Sequence, residues 1–515
     1  MGTACGRGND RGHSHDPPGR LRQPPHRGGA DSGIRQGMSP HTTEPNLHHH
    51  IKGDREKMKA AHAPRRTVLR ATAASLAASV ALLGFTACTG GGGGGSLSGK
   101  GDAVTLTVPT SQAPWNPAYD KLIQEYQKET GNRINLRPFP NPDVKTQEVN
   151  DVQSQSHTFD VYQINEQDLV QFNENGWIQP FTDVDPSYKP DDSIYSYSNV
   201  GRWNADKKIF DSSGELTNLP ILGNVDIFVY RTDVYKKLGL EVPTTWDQMI
   251  ANGKKIQESG DLKYGGVYRT QGVPGTYSTT FEFQSLLNGA GGAWFKDPGT
   301  DWTPTADSSE AVLAATRFRE LAKQGPAATT TIGQAQAIAA MQAGDAGQTY
   351  MVAAAAAQLE SESDSSVAGK VGFAPLPPTP AGTSSSATGL WSLAIPSGLP
   401  KARAKAALEF ITWITSAKAQ TLFAQAGGIP VREEAYSASD LPKGSEQALA
   451  AVKETAAGLP DDPTSLRFSF STQMLNFTEP DLQQIAAGKV SPEEGMKKIQ
   501  QQLEALIQKE GLPTS

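Results

Sequence analysis

"DIFVYRTDVYKKLGLEVPTTWDQMIANGKKI", Asp226 to Ile256, holds a strand, a stop and a capped helix in one run. Ile227 to Tyr230 are β-branched and aromatic residues and predict a strand. Thr232 or Asp233 is placed to cap a short helix, which Gly239 closes because glycine enters the left-handed region without a Cβ clash. Thr245 and Gln248 have capping-box spacing, and Trp246, Met249, Ile250 and Ile256 then share one apolar face. Strand followed by helices in this order is the building unit of an α/β protein.

The same alternation runs toward the N-terminus. "AVTLTVPT" (Ala103 to Thr110) predicts a strand, and Tyr119, Leu122, Ile123 and Tyr126 a helix that Gly131 stops. "RINLRPF" predicts a second strand, residues 143–155 a second helix, and "FDVYQIN" (Phe159 to Asn165) a third strand. Asn165 is placed to cap the helix through Phe172, which Gly176 ends. Successive strand–helix–strand units imply right-handed crossovers and a mostly parallel sheet.

Toward the C-terminus, helices are expected over 308–323, 334–342, 401–416 and 492–508. Strands are expected at "TYMV", "KVGFAPL" and "LWSLAIP", with "PPTPAGTSSSATG" as a surface loop between the last two. No internal repeat is present. The pattern builds one α/β lobe, crosses into a more helical one, and returns.

Charge and cysteine content narrow the chemistry. Of 47 Lys+Arg and 54 Asp+Glu, residues 1–87 hold 13 and 6, leaving residues 88–515 with 34 basic and 48 acidic side chains. An acidic body argues against a nucleic-acid partner, since phosphate backbones select basic surfaces. Only one of nine histidines, His157, lies beyond residue 62, and no cysteine follows Cys88. The body therefore cannot build a Cys-rich or multi-His metal site, and no cofactor is expected.

The N-terminal part reads as address and tether. Residues 1–57, rich in Arg, His, Pro and Gly, are expected to be disordered or untranslated, with Met58 as the start. Residues 58–87 read as an export signal: a basic stretch, then an Ala/Leu/Val run from Ala71 to Phe85. "RRTVL" resembles a twin-arginine motif, although Pro64 and Val68 depart from it, and general secretion fits equally. "FTAC" (Phe85 to Cys88) resembles a bacterial lipobox, with Phe85 where Leu is usual. That resemblance makes Cys88 the lipidated first residue. Residues 88–102, with six consecutive glycines, cannot order and would span roughly 20 Å as a coil.

From Val104 to Ile507 the segments resemble, in order, the family-1 extracellular solute-binding proteins of ABC importers, chiefly the sugar-binding branch. "NLPILGNVDIFVYRTDVYKKLGLEVPTTWDQMI" resembles the family's middle, with Gln248 in place of its usual Glu. "LLNGAGGAWF", "AIAAMQAGDAGQTY", "GLWSLAIP" with "KAALEFITWITSAKAQTLFAQAGGIPVR", and "AAGKVSPEEGMKKIQQQLEAL" resemble its later stretches. The resemblance implies a type II periplasmic-binding-protein-like α/β fold. Each of its two lobes would be a mainly parallel sheet flanked by helices, and hinge strands would join them. Residues 103–225 would form the first part of the N-terminal lobe and 226–385 mainly the C-terminal lobe with the hinge crossing. The remaining hinge segment and C-terminal helices would follow at 386–515. It also implies a monomer anchored outside the plasma membrane, handing a carbohydrate to the transmembrane subunits of a permease.

Ligands of open α/β sheets sit beyond the carboxyl ends of strands. A sugar presents an apolar face to an aromatic ring and hydroxyls to polar side chains. Trp115, Tyr162, Asn165 and Glu166 follow the first and third strands. Trp203, Asn224, Asp226 and Arg467 are further candidates, and Trp391 stands where the family often carries a cleft aromatic. Trp246 and Trp413 read as core. A non-sugar solute (polyol, osmolyte or peptide) and an exported glycoside hydrolase working through paired carboxylates are the alternatives.

Overall fold

A computed structural model describes residues 103–191, 193–194, 199–206, 208–459 and 466–515, the side chains of 141–142 aside. The export leader, Cys88 and the glycine tether fall outside the described residues.

The first half comprises β1 (Thr105–Ser111), α1 (Asn116–Thr130), β2 (Arg133–Phe139), α2 (Asn141–Ser154), β3 (Tyr162–Asn165), α3 (Glu166–Glu174), β4 (Ile178–Gln179) and α4 (Phe181–Val184). A small sheet of β5 (Arg202–Asn204), β6 (Ile209–Phe210) and β7 (Glu215–Leu216) precedes β8 (Asn218–Leu222). The chain crosses at residues 223–225 into β9 (Asp226–Arg231), α5 (Thr232–Leu238), α6 (Trp246–Ser259) and β10 (Tyr264–Gly266). Next come α7 (Thr279–Gly289), the hairpin β11 (Phe295–Asp297) and β12 (Asp301–Pro304), α8 (Ser309–Ala322) and α9 (Gln334–Gln342). β13 (Ala346–Val352), α10 (Ala356–Leu359) and β14 (Val371–Ala374) complete the second sheet. β15 (Trp391–Pro396), α11 (Lys401–Ile414) and α12 (Ala417–Gln425) return to the first half. α13 (Ser445–Ala457), α14 (Ser471–Ala486) and α15 (Pro492–Glu510) end the chain.

The ladders explain how the halves join. β1 and β2 are parallel, with Thr105 opposite Arg133. β15 runs against β3, β4 and β8. β9 runs against β13 and β14, and β13 lies parallel to β10. The expected common strand direction therefore holds with one reversed strand per sheet, β15 or β9. Most ladders are antiparallel, a departure from the expectation, because the reversed strand sits among the others. Its reversal has a cause: it enters from the opposite half and runs outward from the junction. The carboxyl ends of β3, β8, β13 and β14 consequently face that junction, with Asn165 and Leu222 opposite Trp391 and Val352 opposite Asp226.

Local signals act largely as read. Gly131, Gly239 and Gly260 close helices with φ of 78°, 60° and 71°. Asn165 Oδ1 accepts the Gln167 N–H. Thr245 Oγ1 accepts the Gln248 N–H, but Gln248 Oε1 turns to the Thr244 N–H, so the box closes one residue early. α5 has no side-chain cap: it begins at Thr232 itself, and Asp233 instead holds Arg231 at 2.6 Å. One buried cluster gathers Leu106, Tyr119, Tyr126, Leu393 and Phe410, and another Trp246, Phe283, Phe318, Met474 and Leu503. Trp246 is core, as expected. Trp413 packs partly buried against the first cluster and donates to Glu129.

α7 and α14 were not legible in advance. All residues of α7 are buried, so it carries no apolar stripe to read. α14 contains Pro480. The Glu479 carboxylate on α14 accepts the N–H groups of Ser278, Thr279 and Thr280 at 2.8–3.0 Å and thereby caps α7.

Candidate ligand site at the junction of the two sheets

Trp115 follows β1 as the N-terminal flank of α1, and Trp391 opens β15. Their ring centroids lie 5.6 Å apart at 51°. The partner strands put Trp391 opposite Asn165 and Leu393 opposite Gln163. Side chains alternate along a strand, so Gln163 and Asn165 share the face that carries Trp391. β1 is tied beside β3: Asp160 donates its N–H to Thr107 O and accepts the Thr107 N–H at 2.8 Å.

Polar atoms around this pair are buried without hydrogen bonds. They are Thr110 Oγ1, Ser111 Oγ, Trp115 Nε1 and both amide atoms of Gln163. Each such atom costs about 1–3 kcal/mol when left without a partner. They concentrate at the carboxyl ends of two adjacent strands, which makes this the candidate place for a ligand's donors and acceptors.

The second half answers from α7. Tyr277 precedes it, with its ring 5.2 Å from Phe281, and Arg269 sits 4.5 Å over the Phe281 ring. Burial, with the Glu166 and Asp226 carboxylates adding to it, pushes the Tyr277 phenol up. Tyr277 and Phe281 were missed in sequence because the segment around them has neither period 2 nor period 3.6. Gly389, two residues before β15, lets α7 come close: a Cβ there would stand 3.1 Å from Phe281 Cε2.

Glu166 and Arg467 join the halves. The Glu166 carboxylate accepts from Arg467 Nη2 at 2.9 Å, Thr388 Oγ1 at 3.0 Å and the Leu390 N–H at 3.1 Å. Both residues reach the junction as expected, but they grip one another. Lys145 on α2 likewise reaches Asp168 at 2.6 Å and Thr472 on α14 at 2.8 Å.

The other candidates lie elsewhere or serve the frame. Tyr162 departs from the expectation: its ring packs near Phe159 and Phe172, and its hydroxyl donates to Asp151. Its side chain faces away from Trp391 because it is one residue out of phase with Gln163. Trp203 stacks edge-on behind Phe210 in the small sheet, 5.3 Å away. Asn224 holds the crossing, accepting the Ala354 N–H and giving its backbone carbonyl to Gly389. Asp226 is fully buried with Arg269 at 3.4 Å and Ser285 at 3.1 Å, while Glu282 takes Arg269 Nε at 2.7 Å. Two buried acids share one guanidinium, and burial pushes Asp226 up to about 8 and Glu282 up to about 7. Asp226 thus locks the crossing strand.

Beside Arg467 opens a cavity of about 670 Å³, walled by Phe210 from the first half and by Trp302 and Phe468 from the second. Among the described residues, no cluster of three His, Cys, Asp or Glu could hold a metal ion, and no helix is long and apolar enough to cross a membrane.

Comparison with known proteins agrees with this fold. A solute-binding protein from Agrobacterium vitis, crystallised with D-mannitol, superimposes with a TM-score of 0.67 at 23% identity, covering 80% of this chain and 100% of that one. The mannitol-binding protein of Pseudomonas aeruginosa is 26% identical over 54% of this chain and 61% of its own. A probable amino-acid ABC transporter periplasmic-binding protein of Sinorhizobium fredii is 26% identical over 58% of this chain and 66% of its own. The alignments thus span less than two thirds of these curated relatives. The fold is the type II arrangement of such proteins. The family model for bacterial extracellular solute-binding proteins matches residues 110–421, and the chain belongs to that family.

Proposed function

We propose that this protein is the solute-capturing lipoprotein of an ABC importer: it holds a carbohydrate or polyol between Trp115, Trp391 and Tyr277 and delivers it to a membrane permease. The observation that carries this reading is the Trp115–Trp391 pair set among buried polar atoms that have no partner in the protein. A hydroxylated ligand supplies both needs at once, an apolar face for the rings and donors and acceptors for Thr110, Ser111 and Gln163. The mannitol-binding relative supports a polyol or sugar over a peptide. The action is capture rather than turnover, in keeping with a family of binding proteins. Lipid on Cys88, with its glycine tether, would keep a monomer near the outer membrane face and leave it free to close.

Closure of the two halves on the ligand is part of this reading. A ligand that touches both halves stabilises the closed form by its differential contacts. Calorimetry of the chain carrying Cys88→Ser, against mannitol, ribitol, glucose, maltose, glycine betaine and a tripeptide, tests the reading. Saturable binding of a sugar or polyol is expected. Preference for the tripeptide or betaine would remove the ligand class, and release of new reducing ends from an oligosaccharide would remove the binding role.

A further inference from the structure

We propose that Glu479 is a positioning residue for ligand capture: from α14, its carboxylate sets Tyr277 against the ligand by gripping the chain on both sides of that residue. This rests on the reading above, which places Tyr277 in the ligand site. Thr276 and Ser278, the two neighbours of Tyr277, both donate to Glu479. Thr276 Oγ1 lies 3.4 Å from Oε2, and the Ser278 N–H meets Oε1 at 3.0 Å. The N–H groups of Thr279 and Thr280 complete the set at 3.0 and 2.8 Å. Ser278 gives α7 no side-chain cap, so the helix takes its acceptor from a residue 200 positions further along the chain. A cap needs only N–H groups of the first turn. The bond from Thr276 lies outside the helix and fixes Tyr277 from its other side.

The loop before Tyr277 is pressed onto the same turn of α14. Gly272 stands so close that a Cβ there would lie 2.0 Å from the Glu479 carbonyl oxygen. The hydroxyls of Thr280 and Thr478 meet at 3.0 Å beside it. Glu479 is wholly buried, so water does not compete for its oxygens and the grip acts at low local dielectric.

The support reaches across the junction. Thr472 on α14 accepts from Lys145 of the first half at 2.8 Å, and Arg467, just before α14, holds Glu166 at 2.9 Å. The Glu166 and Arg467 charges both act on the Tyr277 phenol, which places the ring beside that pair. One helix therefore sets Tyr277 relative to the half that carries Trp115 and Trp391. A contact side chain locked by buried supports loses little freedom when ligand arrives, and its geometry is only as good as the group behind it.

A double-mutant cycle read by calorimetry tests this, with the tightest binder among mannitol, ribitol, glucose and maltose as ligand and circular dichroism confirming the fold at the working temperature. Glu479→Gln keeps one accepting oxygen and turns an amide toward the remaining donors. Gly272→Ala leaves the carboxylate intact and pushes the loop off α14, so it carries the test even where the first variant folds poorly. Each is made in the parent and in Tyr277→Leu, which keeps an apolar side chain but not the ring. Each is expected to lower affinity at least about fivefold in the parent and less than about twofold in Tyr277→Leu, because a residue that acts through another has nothing left to position. Unchanged affinity in either variant, or a loss just as large without the Tyr277 ring, overturns the positioning role and leaves the ligand reading intact. Full affinity in Tyr277→Leu removes Tyr277 from the site and the proposal with it, while Trp115 and Trp391 stand. Absence of binding of all four compounds by the parent overturns the reading on which the proposal rests.

Discussion

Glu166 at the start of α3 and Arg467 just before α14, 301 residues apart in sequence, meet at 2.9 Å where the two halves join. Neither is free to act as a simple hydroxyl donor or acceptor for ligand, because each already holds the other. We read the pair as a latch: here Glu166 is buried and satisfied by Arg467, Thr388 and Leu390, and parting the halves would take Arg467 away from it.

Arg467→Met therefore leaves a carboxylate that is buried on closure without its cation. Removing one partner of such a pair costs on the order of 2–5 kcal/mol in the state that buries the other. Affinity for the ligand is expected to fall about 30-fold or more, which corresponds to the lower end of that range. X-ray scattering should show a larger radius of gyration at a ligand concentration that closes the parent. Unchanged affinity and unchanged scattering would mean that the latch contributes nothing to closure.

Trp115→Ala is expected to weaken binding by roughly 1–3 kcal/mol, the scale of losing one buried aromatic surface. Trp391 should act with it, because the rings lie 5.6 Å apart. Such pairs carry about 0.5–1.5 kcal/mol beyond their separate burial. Calorimetry on Trp115→Ala, Trp391→Ala and the double variant should therefore give non-additive losses. Strict additivity would place the two rings on separate parts of the ligand, and full affinity in Trp115→Ala would remove that residue from the site.

How much of this was readable beforehand varies with the physical signal. β1, α1, β9 and α6 announce themselves because each combines an apolar period with a cap or stop: Gly131, Gly239, Thr245. α7 does not, since every one of its residues is buried. As candidates, Trp115 was legible because it follows the carboxyl end of β1, where the fold class puts ligand, and Trp391 because the family resemblance marks its position. The Glu166–Arg467 pairing was not, because nothing local in either segment encodes a partner 301 residues away. Tyr162 misled for a simple reason of period: its neighbour Gln163, not Tyr162 itself, shares a face with Asn165.

The cap on α7 makes stability depend on pH. Burial pushes Glu479 up to about 7, against three N–H groups that favour its charged form. Its ordinary value is 4.5, so between about 4.5 and 7 the folded protein holds a proton that the unfolded chain has lost. Folding stability from this group is therefore fully present below 4.5 and falls as pH rises through 7, by on the order of 3 kcal/mol. Buried Asp226 and Glu282 act with the same sign. Thermal unfolding should thus show a lower midpoint at pH 7.5 than at pH 5, with a shallower decline in Glu479→Gln. An identical decline in both proteins would assign the dependence to other groups.

Gly289→Ala separates folding from binding. Gly289 ends α7 against the indole of Trp246, and a Cβ there would fall 2.0 Å from Trp246 Nε1. The indole cannot yield easily, being buried edge-on against Tyr350 at 5.4 Å. The added methyl must displace one helix from the other, and overpacking of this kind costs typically about 1–3 kcal/mol. Neither residue borders Trp115, Trp391 or the cavity beside Arg467. Chemical denaturation is expected to show a reduced midpoint while ligand affinity at low temperature stays within about twofold of the parent. A large loss of affinity with unchanged stability would show that α7 transmits its position to Tyr277 and Phe281, and that the α6–α7 contact belongs to the binding apparatus rather than to the frame.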